Sequence, residues 1–340
     1  MSGGLKQSIF KLESKKISHQ ILEWSFSKER YLNIISPPYI STDIFVELIL
    51  NFIKQSKKVL YITNENDSDV EIIEKIKKES KFRGYTYLKQ NSKFEESLLI
   101  IAKHEMVDKL NCKFDLVIYD EIKNFSEYTA YEIIDIMNSK AHDDTKLVTC
   151  FIEKIFENKR GIVLPVRNNV YPLIEPKFIS TRVDINKDIP YVIYEYLEWS
   201  LKINSQKVVI YVPSEDKVDK VYKYLALYCN KMNKNILSFV ENKSNKKILN
   251  NFLKMKEGLL VTNDFYSDIS NSNVMVFFAD DTVFDYKKLV YISGKVGKKE
   301  KNPKGEVIFL GNCETEDIDK ARNITRNFNK EAWEMDLLRI

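Results

Sequence analysis

Cysteines are few in this chain, long apolar runs are absent, and neither sign of charge dominates. No two cysteines form a CxxC pair, which excludes a zinc knuckle and a CxxC redox motif; the four are Cys112, Cys150, Cys229 and Cys313. No run approaches the roughly 20 apolar residues that span a bilayer, and the polar segment Met1–Ser14 lacks the apolar stretch of a signal peptide. A cytoplasmic location with reduced thiols is therefore predicted, and a peripheral membrane association stays open.

The balance of charge is too even to indicate a partner. The 340 residues include 53 Lys and Arg against 49 Asp and Glu, a formal net charge of +4, so only local clusters could argue for nucleic acid. Apolar residues at 44% and charged residues at 30% indicate a chain that folds throughout. The length predicts two domains.

Short β-branched apolar runs alternate with longer segments of helical period in both halves of the chain, which is typical of parallel α/β units. Strands are predicted over Tyr31–Ser36, Lys58–Asn64, Ser97–Lys103, Phe114–Asp120, Lys146–Phe151, Lys207–Val212, Ile236–Val240, Gly258–Thr262, Val274–Ala279 and Gly305–Leu310. Helices are predicted over Thr42–Lys54, Val70–Phe82, Tyr128–Ser139, Tyr191–Ile203, Glu215–Asn230, Asn245–Met255, Tyr286–Ser293 and Ile318–Leu337. The pattern predicts an α/β fold with two tandem parallel-sheet lobes.

The segment between the two halves is rich in proline. Arg160–Pro190 contains four prolines and no sustained helical period, and it is predicted to be an irregular connection between lobes. We therefore expect a flexible leader over 1–18, a first lobe over 19–180 and a second over 181–340.

Two adjacent acids end the apolar strand Phe114–Asp120. In nucleotide motors an aspartate at such a strand end holds Mg²⁺, and a following glutamate polarises the attacking water. Asp120 and Glu121 are thus candidate catalytic residues. The alternative is that these acids only lead the chain out of the core.

The loop that should accompany such an acid pair departs from a phosphate-binding loop. The segment Ser36–Asp43 has no lysine and no glycine, and two of its residues are prolines, which donate no N–H. Asp43 stands at the start of the predicted helix, where it would cap the helix but repel an anion.

A basic segment, Lys288–Pro303, contains lysines at 295, 298, 299 and 301 around two glycines. These lysines could neutralise the phosphates of nucleotide or DNA. The alternative is a solvated basic turn.

Several segments follow the order and spacing of the ComFA family of superfamily 2 (DEAD/DEAH-type) helicase-like ATPases. The matching segments are Ala102–Glu105, Phe114–Phe125, Gly161–Val166, Leu259–Asn263, Val283–Lys298 and Pro303–Phe309. They resemble the family's Thr-His-Gln, Asp-Glu-Val-Asp-Ala-Phe, His-Pro-Leu-Pro-Val-Pro, Leu-Leu-Val-Thr, Gln-Ile-Ala-Gly-Arg-Val-Gly-Arg and Pro-x-Gly-x-Val-Ile-Phe segments. The resemblance covers nearly the whole chain and implies two RecA-like lobes, a P-loop NTPase core and a role in competence DNA uptake.

The departures from the family pattern fall on the residues that hydrolyse ATP. The phosphate-loop lysine is replaced by Thr42, followed by Asp43, and the glutamine and two arginines of the last motif are replaced by Tyr291, Lys295 and Lys298. The family's N-terminal zinc-binding region has no counterpart here. Because arginine fingers contribute roughly 10³–10⁵ in rate, hydrolysis is expected to be near background.

Three hypotheses follow from the resemblance and its departures. The first is a degenerate ATPase without a cofactor that binds DNA, expected to be single-stranded, or other competence or DNA-processing proteins. Its nucleic-acid contacts would be Lys103, His104 and Lys299, with Lys295 and Lys298 in an interlobe cleft; His104 could instead be a strand-end hydrogen-bonding residue. The second is an active ATP- and Mg²⁺-dependent DNA translocase. The third is a protein-interaction scaffold without nucleic acid.

Overall fold

The computed structural model describes residues 2–90, 96–203, 206–229, 235–298 and 304–338, with side chains from residue 11 onward apart from those of 203, 228 and 229. The chain divides into two compact units. The first unit comprises Met1–Pro172 and Phe328–Ile340, and the second comprises Leu173–Asn327. The predicted α/β fold with two parallel-sheet lobes is confirmed.

The first unit contains a parallel sheet with the strand order β3-β4-β2-β5-β6-β1-β7 among the described residues. Its strands are β1 (Tyr31–Ile35), β2 (Val59–Thr63), β3 (Tyr85–Tyr87), β4 (Leu99–Ala102), β5 (Phe114–Asp120), β6 (Ala141–Phe151) and β7 (Gly161–Val163). Every residue of β2 is buried, as expected for a strand covered on both faces of a parallel sheet.

The helices of the first unit are α1 (Ser2–Phe26), α2 (Val46–Lys54), α3 (Glu71–Glu79), α4 (His104–Val107) and α5 (Ala130–Ser139), and a 3₁₀ turn over Thr42–Phe45 precedes α2. A capping box begins α5, since the Thr129 hydroxyl accepts a hydrogen bond from Glu132 N and the Glu132 carboxylate accepts one from Thr129 N at 2.7 Å. This cap at Thr129 explains why α5 begins at Ala130, two residues later than the predicted start at Tyr128.

The second unit contains a parallel sheet with the strand order β10-β11-β9-β12-β13-β8 in the described part of the chain. Its strands are β8 (Lys177–Ser180), β9 (Lys207–Tyr211), β10 (Ile236–Phe239), β11 (Gly258–Thr262), β12 (Ser272–Phe277) and β13 (Val307–Gly311). Its helices are α6 (Tyr191–Glu198), continued by a π-helical turn over Trp199–Ile203, α7 (Glu215–Cys229), α8 (Lys247–Lys254), α9 (Tyr286–Gly294) and α10 (Glu316–Glu334).

The proline-rich connection is less irregular than predicted. It contains β7, which pairs with β1, and β8, which pairs with β13, and both lie at sheet edges. The four prolines lie outside these two strands, so neither strand loses a backbone donor to proline. The first unit ends at Pro172 instead of residue 180, and the end of α10 from Phe328 onward belongs to it.

The expected leader over 1–18 lies within helix α1 in the structure. Ile17, Ile21 and Trp24 are spaced four and three residues apart, so they share one face of the helix, and all three are buried in the core of the first unit. Ala332, Leu337 and Leu338 from the end of the chain are part of the same core. No helix in the described part of the chain is both long enough and apolar enough to cross a membrane.

Substituting Trp24 by alanine tests whether α1 belongs to the folded first unit. Trp24 is fully buried, so we expect Trp24→Ala to lower the free energy of unfolding by about 3–5 kcal/mol in urea titration. Phe26, two residues later, is 67% exposed, and Phe26→Ala should change stability by less than about 0.5 kcal/mol. Equal effects of the two substitutions would show that α1 does not pack as described.

Candidate functional site

Parallel strands bring their carboxyl ends to one edge of a sheet, and the candidate residues of the first unit lie at that edge. Asp120 ends β5, the segment from Ser36 follows β1, and Glu65 follows β2 by two residues. These three segments come from neighbouring or near-neighbouring strands in the order β2-β5-β6-β1.

Asp120 is 1% exposed, and both of its oxygens accept hydrogen bonds from the protein. The Tyr61 hydroxyl donates to Oδ2, and the Ile122 amide donates to Oδ1 at 2.7 Å. Burial raises the pKa of Asp120 to about 6, although the two hydrogen bonds act in the opposite direction. The aspartate is therefore a buried hydrogen-bond acceptor at neutral pH.

Glu121 is also turned inward. Its side chain is 1% exposed, and Oε1 accepts hydrogen bonds from the Ser126 amide at 2.8 Å and from the Ser126 hydroxyl. The carboxylate thus fastens the chain that follows β5 instead of standing open to a water molecule.

The loop after β1 uses its backbone donors within the protein. The Ser36 amide donates to Phe151 O at 2.9 Å, and the Tyr39 amide donates to Ile122 O at 2.7 Å, while the two intervening residues are prolines. Tyr39 has a φ of 68°, a backbone conformation that favours glycine. Thr42, at the position of the family's phosphate-loop lysine, is fully buried.

Five side chains form an ion-pair cluster beside this loop, which we call the loop network: Ser41, Asp43, Glu71, Lys75 and Lys123. Ser41 Oγ donates to Asp43 Oδ2 at 2.7 Å, and Lys75 Nζ lies 2.9 Å from Asp43 Oδ1. Glu71 forms an ion pair with Lys123, with Nζ 2.7 Å from Oε2, and its Oε1 lies 3.5 Å from Lys75 Nζ. The negative charge of Asp43 is therefore paired with the positive charge of Lys75.

This edge of the sheet does not fit the Mg²⁺–nucleotide group that helicase-like ATPases hold there. The backbone amides of Ser36 and Tyr39 are engaged with carbonyl oxygens, and the side chains of Asp120 and Glu121 are engaged with Tyr61 and Ser126. Within the described ranges, no group of three or more His, Cys, Asp or Glu side chains is placed to hold a metal ion.

Glu65 is a buried acid that the sequence pattern does not single out. It is 4% exposed, and its carboxylate accepts a hydrogen bond from the Glu71 amide at 3.4 Å, while Oε1 has no hydrogen-bond partner among the described residues. Burial, and then the nearby Asp120, raise the pKa of Glu65 to about 8. A carboxyl group two residues beyond a buried strand is the signal that could have indicated it.

Of the two predicted nucleic-acid contacts in the first unit, one is at the surface and one is buried. Lys103 donates from Nζ to Asn66 Oδ1 at 3.0 Å beside a groove of about 460 Å³. His104 is 6% exposed, hydrogen-bonds through Nδ1 to the Tyr119 hydroxyl and stacks on its ring at 5.2 Å. The prediction of a DNA contact at His104 therefore gives way to the alternative, a hydrogen-bonding residue at the strand end.

Lys295 is buried, and its ammonium group is held by the loop after β11 of the second unit. It is 2% exposed, and Nζ donates to Phe265 O at 2.6 Å and to Ser267 O at 2.9 Å. The ammonium also lies 5.0 Å from the centre of the Tyr211 ring. Burial lowers the pKa of Lys295 to about 8, although Asp264 acts in the opposite direction. Lys295 therefore fastens the loop after β11 within the second unit.

Lys298 has its partner in the same loop. Its side chain is 13% exposed, and Nζ pairs with Asp268. Tyr291, at the position of the family's glutamine, is 2% exposed. Lys299, the third predicted nucleic-acid contact, lies outside the described residues.

The raised pKa of Glu65 predicts a pH-dependent effect of Glu65→Gln. The ordinary glutamate value is 4.5 and the folded value about 8, so between these the unfolded chain loses a proton that the folded protein keeps. Stability is therefore lost as pH rises through this window. Thermal unfolding should show Glu65→Gln gaining more than about 1 kcal/mol relative to the parent protein at about pH 8.5 compared with about pH 5.

Glu74→Gln is the matched control, because this helix α3 glutamate is 74% exposed and pairs across the surface with Lys77. Its stability difference from the parent protein should be the same at both pH values. A pH-independent effect of Glu65→Gln would contradict the raised pKa.

Known proteins are similar to this chain in sequence and in fold. No family model matches the chain. In sequence the chain is similar to the competence protein ComFA of Bacillus subtilis (strain 168), with 22% identity over an alignment of 317 residues that covers 87% of this chain. The match spans 66% of the length of that protein, just under two thirds.

Solved structures of helicases share the fold. A variant of S. cerevisiae Dbp5 bound to RNA and ADP BeF3 has a TM-score of 0.59 at 12% identity, covering 95% of this chain and 93% of that one. RecG bound to a three-way DNA junction has a TM-score of 0.57 at 15% identity, covering 94% and 46%. The E. coli DExH-box NTPase HrpB has a TM-score of 0.56 at 11% identity, covering 91% and 42%. The chain thus resembles ComFA in sequence and shares with these solved structures the fold of two RecA-like, parallel-sheet lobes.

Proposed function

We propose that this chain is a helicase-related competence or DNA-processing protein that binds DNA, preferentially single-stranded, or a partner protein, with little or no ATP hydrolysis. The observation that carries the proposal is the combination of collinear similarity to ComFA with a phosphate-loop position filled by the chain's own side chains.

Two observations support a low rate of ATP hydrolysis. One is the loop after β1 in the first unit, and the other is the pair Lys295 and Lys298 in the second unit. The backbone amides of Ser36 and Tyr39 are engaged with carbonyl oxygens, and Thr42 replaces the phosphate-loop lysine. Lys295 and Lys298, which stand where the family has arginines, are bound to the loop after β11. Neither lysine offers the planar guanidinium that stabilises charge in phosphoryl transfer.

The groove beside β3 and β4 is the surface that best supports DNA binding in the first unit. Lys89 and Lys103 line it together with Tyr87, and the acids Asp67 and Glu105 line it as well. Lys103 is held by an amide oxygen, and Lys89 pairs with Asp67 at 2.5 Å. Exchanging these surface contacts for a phosphate is inexpensive, because exposed ion pairs contribute only about 0.2–1 kcal/mol. Two of the solved helicases are described as bound to RNA or to a DNA junction, which agrees with such a surface.

Salt-dependent binding of a single-stranded oligonucleotide tests the proposal. We expect log K for the parent protein to fall as log salt rises, because bound phosphates release counterions. The variant Lys89→Ala/Lys103→Ala should bind more weakly at low salt, and its slope should be smaller by about 0.7 for each phosphate that is no longer neutralised. Fluorescence anisotropy at several salt concentrations measures both quantities.

Lys16→Ala is the matched control, since this exposed lysine of α1 lies outside the groove and pairs with Glu13 at 3.5 Å. Its affinity and slope should equal those of the parent protein. A slope near zero for the parent protein would contradict DNA binding and favour the protein-interaction scaffold.

A further inference from the structure

Two lysines of the loop network share one carboxylate. Lys123 Nζ lies 2.7 Å from Glu71 Oε2, and Lys75 Nζ lies 3.5 Å from Glu71 Oε1. Lys75 also lies 2.9 Å from both oxygens of Asp43. A carboxylate with one ammonium group on each oxygen has the surroundings of a bound oxyanion.

Local sequence and topology place these groups together. Glu71 and Lys75 are one turn apart on helix α3, Asp43 lies in the first turn after the β1 loop, and Lys123 follows the end of β5. Burial acts to lower the pKa of Lys75, but the contacts with Asp43 and Glu71 outweigh it and raise the pKa. Lys75 therefore carries its charge at neutral pH.

The charges of the loop network leave no net attraction for an incoming anion. Two lysines face two carboxylates, and the buried acids Glu65 and Asp120 lie close by on the same edge. A free anion would have to displace carboxylates that are tethered to the chain and act intramolecularly. Millimolar phosphate competes poorly with such groups.

We infer that Lys75 and Lys123 form a polyphosphate-binding pair. The chain's own carboxylates, those of Asp43 and Glu71, occupy the position that the polyphosphate would take. These internal anions hold the loop after β1 in one conformation without nucleotide. With both carboxylates neutralised, the two lysines would accept a polyphosphate anion.

Neutralising the carboxylates should leave the unit folded. The side chains of Asp43 and Glu71 are 42% and 22% exposed, so neither substitution places a new polar group in the hydrophobic core. Asp43→Asn/Glu71→Gln keeps the shape of both side chains and their capacity to accept hydrogen bonds.

Inorganic tripolyphosphate is the probe, and thermal unfolding of the full chain at constant ionic strength is the measurement. The unfolding midpoint of Asp43→Asn/Glu71→Gln should rise with tripolyphosphate by about 3 °C once the ligand reaches roughly ten times its Kd. The parent protein should show no rise over the same millimolar range. A rise of equal size in the parent protein would overturn the inference, and so would no rise in the variant.

Two further variants make the test specific. Glu74→Gln/Glu79→Gln removes the same charge from exposed positions of α3, and it should behave as the parent protein does. Adding Lys75→Gln and Lys123→Gln to the Asp43→Asn/Glu71→Gln variant should abolish its response. A response of either control equal to that of Asp43→Asn/Glu71→Gln would assign binding to overall charge and overturn the inference. No DNA is present, so the outcome is independent of the DNA-binding proposal.

Discussion

Carboxylates gathered at one sheet edge are the constraint on which the rest of the first unit depends. The parallel order of β2, β5 and β1 brings Glu65, Asp120 and Asp43 to the same edge, where each must find a proton, a donor or a cation. Tyr61 and the Ile122 amide serve Asp120, and Lys75 serves Asp43.

In the second unit, the charged side chains that support a loop are lysines instead of carboxylates. At the positions where ComFA-type sequences carry arginines, Lys295 binds two backbone carbonyls and Lys298 binds an aspartate, all within the loop after β11. A buried ammonium is stable there because carbonyl oxygens replace its water. In both units, residues that align with catalytic positions of ComFA-type sequences support loops.

The features that the sequence predicts best are those that depend on neighbouring residues in the chain. The strands β5 and β11 were predicted to the residue, because continuous apolar runs set their limits. The sequence pattern does not predict helix α1. The spacing of its buried residues is a local signal, but polar residues surround Ile17 and Ile21 and obscure it. The inward turn of Lys295 could not be predicted, because its partners are carbonyls about thirty residues earlier in the chain. The burial of His104 likewise depends on Tyr119, a contact that only the fold creates.

Steady-state hydrolysis of ATP tests most directly whether the sheet edge of the first unit can act on a nucleotide. The rate is measured with Mg²⁺ and saturating single-stranded DNA and compared between the parent protein and Asp120→Asn/Glu121→Gln. If the sheet edge of the first unit is filled by its own side chains, the two proteins hydrolyse ATP at the same background rate, with and without DNA. A DNA-stimulated rate that the double variant loses would contradict this, and it would establish an active motor in spite of the loop network.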